Sequence, residues 1–195
     1  MNTLTKPGSP GLFFRCIASL ALLALTACSP RFDFREVRTA GFVVALPGKP
    51  QTQVRDVDYG GPGGPAKLSM TMISSGVGQT LFAVGAVTLP RAALTPDQVE
   101  ASAAWFRDAL LRNVRGKLIA AQPVSVAVPN ARTLRLAQAV RGQGDGGKAG
   151  STLVAARFIV VDDWLYQVIA LGQQGGLDEL TPAVLDTFFD SFRLL

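Results

Sequence analysis

Residues 152–171 read TLVAARFIVVDDWLYQVIAL, two apolar runs joined by Asp162 and Asp163. Adjacent aspartates between apolar segments favour a turn, because their side chains bond nearby backbone. The runs have strand length and are rich in β-branched and aromatic residues. They predict a strand over 152–161 that returns over 164–171. Trp164, Tyr166 and Val168 then share one side of the second strand, and Leu165 and Ile169 the other. So short a connection makes the pair antiparallel.

Outward from this hairpin the chain alternates strands with glycine- and proline-rich breaks. Strands are expected over 42–46, 53–59, 67–73, 80–89, 117–128 and 131–141. In the third of these Leu68, Met70 and Met72 alternate with polar residues, giving one inward face. The apolar 80–89 run belongs near the middle of a sheet. On 131–141, Leu134, Leu136 and Val140 occupy one face and Arg135 and Arg141 the other. Loops are expected over 60–65, 142–150 and 172–176.

Two helices interrupt the strands. Thr95 is an N-cap candidate, Pro96 suits the first helical position, and Gln98 stands where a capping-box partner belongs. Val99, Ala103, Phe106, Leu110 and Val114 recur at spacings of three and four, with Trp105 and Leu111 beside them. Asp108 and Arg112 are spaced to pair on the outer face, and Gly116 to close the helix. A last helix starts at Thr181 and Pro182 and turns Leu185, Phe188 and Phe189 inward. The pattern is α+β, with a mainly antiparallel sheet, one domain over 41–195 and no internal repeat.

The first 27 residues have the zones of an export leader: Lys6 and Arg15, an apolar stretch over 16–27, then small residues before Cys28. The stretch is shorter than the roughly 20 apolar residues that span a bilayer. Leu25-Thr26-Ala27-Cys28 resembles the bacterial lipobox, which implies cleavage after Ala27 and a diacylglyceryl anchor on Cys28. Acyl chains on that residue would attach the protein to a membrane. Two other readings stand beside it: an ordinary secretory signal cut near Ala27, and an uncleaved leader. Ser29, where inner-membrane lipoproteins tend to carry aspartate, implies the periplasmic face of the outer membrane. Residues 28–40 read as a lipidated N-terminus and polar tether, whose Arg31, Arg35 and Arg38 would lie near headgroups or in solvent.

Composition narrows the chemistry. The chain has no histidine, and its only cysteines are Cys16 and Cys28. That excludes Ser-His-Asp and Cys-His nucleophiles and the usual zinc sites. Beyond residue 27 the chain carries 17 basic and 14 acidic residues, too mild a surplus for a nucleic-acid footprint. No cofactor, metal site or catalytic residue is expected.

Several residues invite sharper readings. Gly142, Gly144 and Gly147 match G-x-G-x-x-G, but a dinucleotide site needs a helix after the glycines, and a strand follows. Arg132, Arg135 and Arg141 could make an anion-binding face. Trp105, Trp164 and Tyr166 could line a groove, although core is the commoner place for them; Trp164, beside the turn, is the expected exception. Asp56, Asp58, Asp162 and Asp163 are the carboxylates an atypical hydrolase would use.

Residues 42–50, FVVALPGKP, and 187–194, TFFDSFRL, carry a family resemblance. The first resembles the F-x-V-x-x-P-x-x-P opening of PsbP-like domains, and the second their F-hydrophobic-x-S-F ending. A central helix and the Arg157-Phe158 to Trp164-Leu165-Tyr166 strand pair are matching landmarks. The resemblance implies an α-β-α sandwich and a binding or assembly role, with no functional residue carried over. The anchor and the lack of catalytic side chains make a non-catalytic envelope lipoprotein that binds another protein the first expectation; a small-molecule carrier or carboxylate hydrolase in the same place is the second, and dimerisation through an exposed sheet edge a third.

Overall fold

The computed structural model describes residues 32–129, 131–145, 150–173, 176 and 179–195. Cys28 and Ala27 lie outside them, as do Arg31 and Gly147. The compact unit spans Phe34–Leu195. Among the described residues no helix is long and apolar enough to cross a membrane.

A seven-stranded antiparallel sheet is the centre of the fold. In chain order its strands are β3 (Gln51–Tyr59), β4 (Ala66–Val77), β5 (Thr80–Thr88), β6 (Gly116–Pro123), β7 (Leu134–Asp145), β8 (Ser151–Val161) and β9 (Trp164–Gln173). Their order across the sheet is β3-β4-β5-β9-β8-β7-β6. The expected β8–β9 hairpin forms, its register running from Val161 opposite Trp164 to Thr152 opposite Gln173. Asp162 turns the chain with a left-handed φ of 55°, which aspartate tolerates better than most side chains.

Helix α1 (Pro96–Asn113) covers one face of this sheet. Its Val99, Ala103 and Phe106 meet Met70, Phe158 and Leu165 in the main core. Leu111 is buried as well, whereas Leu110 and Val114 of the expected stripe are only half-buried. The Tyr59 hydroxyl lies 2.7 Å from Ser102 Oγ on α1 and donates to the Pro62 carbonyl at 3.1 Å. Burial pushes its pKa up, opposed by the Ser102 bond. That buried network ties the 60–65 loop to the helix.

Details of α1 depart from expectation. Thr95 Oγ1 bonds Gln98 Oε1 at 2.7 Å and caps no backbone amide. Asp108 pairs with its neighbour Arg107 at 2.9 Å instead of with Arg112. Arg115, at φ 51°, takes the left-handed position expected of Gly116. Gly116 is needed for another reason: it opens β6, where a Cβ would come 3.1 Å from the Gln143 carbonyl.

The 142–150 loop is shorter than expected. β7 continues to Asp145, which pairs with Ser151. A Cβ on Gly142 would strike Leu111, and one on Gly144 would strike the Val114 carbonyl. These glycines let the end of α1 approach the sheet backbone, which answers the G-x-G-x-x-G match. β6 ends at Pro123, short of the expected 128, although the Val124 amide still donates to the Ala137 carbonyl at 3.1 Å. β9 likewise runs past Leu171 into the expected loop.

The opposite face is covered by α2 (Pro182–Ser191) and a three-stranded sheet. That sheet joins β1 (Phe34–Arg38), β2 (Phe42–Pro47) and β10 (Arg193–Leu194) in the order β1-β2-β10. β1 corrects the tether reading for residues 34–38, since it pairs residue by residue with β2. Phe34 packs edge-on to Phe82, and Phe82 to Phe188 of α2. Thr181 caps α2 as expected, accepting from the Val184 amide. Ile73 and Ser75 of β4 point to this second face, and Ser75 Oγ donates to the Pro47 carbonyl, so β4 buries residues on both sides. The architecture is α+β, with the large sheet between α1 and a mixed layer.

Candidate functional site

The small sheet is too narrow to hide the whole second face. Where it stops, a cleft of about 510 Å³ opens onto the large sheet. Its floor is Thr71 and Ile73 of β4, Ala86 of β5, and Tyr166 of β9. Strand alternation puts Trp164 on the same face as Tyr166. Trp164 is 39% exposed and lies over the buried Tyr166 at a ring separation of 6.3 Å and 24°. Phe42 meets Tyr166 edge-on at 5.9 Å.

One wall is the β1–β2 turn. Thr39 Oγ1 holds it closed, accepting from the Gly41 and Phe42 amides and donating to the Phe42 carbonyl. The other wall is Arg132, the single charged side chain among the lining residues. Its Nε donates to Asp162 Oδ2 at 3.0 Å, and the Thr133 amide donates to Asp162 Oδ1 at 2.9 Å. Arg135 approaches from outside, its Nε donating to the Asp162 carbonyl at 2.6 Å.

The electrostatics follow from these contacts. The Thr133 amide, then Arg132, hold the Asp162 carboxyl below the usual carboxylate range. Burial works against the Arg132 charge, but hydrogen bonds to Asp162 and Tyr166 outweigh it and raise its pKa. Both groups therefore stay charged near neutral pH, as a locked pair.

The predicted residues separate accordingly. Trp164 and Tyr166 come together in the cleft with Arg132. Trp105 lies across the sheet, half-buried against Tyr59 and Phe106. Arg132 and Arg135 converge on Asp162 and do not form an open anion face; Arg141 belongs to a smaller hollow beside Arg157 and Phe189. Asp56 and Asp58 sit exposed on the edge strand β3, Asp56 4.0 Å from Lys67. β4 and β5 separate them from the β9 hairpin that carries Asp162 and Asp163. The four hydrolase carboxylates are thus not brought together. Among the described residues no three of His, Cys, Asp and Glu gather as a metal could use them.

Sequence reasoning missed Arg132 as Asp162's partner and the 39–42 wall. No local pattern links residues 30 positions apart.

A second surface stands out. β6 is an outer strand of the large sheet, and all its residues after Gly116 are exposed. Leu118 is 42% and Ile119 60% exposed, and the register shifts between Leu118 and Ala120. The opposite outer strand, β3, carries Arg55, Asp56 and Asp58.

Against known proteins, the chain matches no family model and no curated protein.

Proposed function

We propose that this chain is an envelope lipoprotein whose PsbP-like domain binds another protein and carries out no chemistry of its own. In this reading Cys28 bears the acyl anchor after cleavage at Ala27, and the domain works on the periplasmic face of the outer membrane. The leader composition supports the anchor. The α+β architecture, a large antiparallel sheet between a helix on one face and a mixed layer of one helix and three short strands on the other, is compatible with the PsbP-like assignment.

The observation that carries the binding role is the β6 edge. Natural sheets blunt their free edges with charge, as β3 does here. β6 has an irregularity at Ile119 and ends in Pro123, but along its length Leu118, Ile119, Ala120 and Ala121 stand exposed with Lys117 alone as a charge. An extended segment of a partner can add to such an edge by backbone bonding, and the apolar side chains would give it area to bury.

Photocrosslinkers at Ile119 and, as a control, at Val54 on the β3 edge test this in intact envelopes. The reading expects one discrete adduct from Ile119 only, lost when Leu118→Lys is added. Identical products from both edges, or none, would refute it. Palmitate labelling and intact mass test the anchor: Cys28→Ala should abolish the label and release the protein from membranes.

The cleft favours a second reading, a carrier for a small molecule. Its volume and apolar lining are those of a ligand site.

A further inference from the structure

The cleft under Trp164 has one charged side chain, and that charge is already committed. We infer that its ligand is a flat, uncharged, mostly apolar molecule presenting a single hydrogen-bond acceptor, such as an aromatic amide or ketone. This inference rests on the carrier reading and names the ligand class for that site.

Three observations carry it. The first is size: about 510 Å³ falls within the range of small-molecule sites, roughly 300–1,000 Å³. The second is lining. Trp164, Phe42 and Tyr166 offer ring faces and edges over an Ile73 and Ala86 floor, which suits a planar apolar body. The third is charge. Arg132 Nε is bonded to Asp162, whose other oxygen holds the Thr133 amide. An anion would have to share Arg132 with that carboxylate and so meet a like charge at close range. A neutral acceptor needs only one of the guanidinium's remaining N–H groups, since arginine has five donors. Arg135 offers no alternative, because it lies outside the cleft with its fork on the Asp162 and Leu94 carbonyls.

A matched pair of probes separates these cases: 2-naphthamide and 2-naphthoate, alike in shape and different in charge. Equilibrium dialysis of the full chain in lipid nanodiscs, with empty nanodiscs as blank, measures both. The naphthamide should bind about tenfold more tightly than the naphthoate. Trp164→Ala should abolish binding of both. In Asp162→Asn the amide oxygen can still take the Thr133 N–H while Arg132 loses its counter-charge, so naphthoate affinity should rise about fivefold and the gap narrow. Naphthoate binding as well as naphthamide, or no response to Asp162→Asn, would overturn the neutral ligand and leave a carrier standing. Binding that survives Trp164→Ala would put the site elsewhere. Binding of neither probe would remove the inference and the carrier reading together, without touching the β6 proposal.

Discussion

The two faces of the large sheet are finished differently. On one, α1 lies so close that Gly142 and Gly144 cannot carry a side chain, and Phe158, Leu165 and Phe106 are sealed from water. On the other, α2 and a three-stranded sheet cover only part of the surface and leave Trp164 39% exposed above the cleft. The first face therefore supplies stability. The second has surface left over, and the one charged side chain that lines its cleft is already balanced, which suits binding.

That contrast can be broken or sharpened by substitution. The largest effect belongs to the sealed face. Phe158→Ala removes a ring with no exposure and should cost about 3–5 kcal/mol in chemical denaturation. A smaller loss would mean α1 can collapse onto the gap. Gly144→Val forces a side chain into the Val114 carbonyl and should cost about 1–3 kcal/mol, with faster amide exchange in the last turn of α1. Trp164→Ala on the open face should change stability by only about 1 kcal/mol while eliminating probe binding. A loss as large as that of Phe158→Ala would make Trp164 a core residue and remove the contrast.

The smallest effect is electrostatic, and pH reveals it. The Asp162 carboxyl has a folded pKa below its ordinary 3.8, so its ionised form stabilises the fold. That contribution is complete above the unfolded value and disappears as pH falls through the folded one. The stability difference between the wild type and Asp162→Asn should therefore be constant from neutral pH to about 5 and shrink below about 4. A difference independent of pH down to about 2 would show that the ionised carboxyl's contacts to the Thr133 amide and Arg132 contribute nothing.

The sealed face was readable from sequence, because its signals are local. Thr95-Pro96 and the three-and-four spacing of Val99, Ala103 and Phe106 announce α1, and the Asp162-Asp163 turn announces the central hairpin. The misreading at Gly142 and Gly144 has a plain cause. Gly142 and Gly144 look like loop residues until a helix 30 residues earlier in the chain is laid across them. The second face was harder. β1 is FREVR, three charges around Phe34 and Val37, and it becomes a strand by backbone pairing with β2 rather than by its side chains. β10 is two residues long. The cleft arises where these short pieces stop, and the Arg132–Asp162 contact that sets its chemistry is invisible to any local pattern.

The two tryptophans allow the central claim to be tested directly, since Trp105 belongs to the sealed face and Trp164 to the open one. The full chain in nanodiscs, labelled with 5-fluorotryptophan, should give two fluorine signals, assigned with Trp105→Phe. On titration with 2-naphthamide the Trp164 signal should shift saturably while the Trp105 signal stays in place. Equal movement of both signals, or of Trp105 alone, would contradict the account.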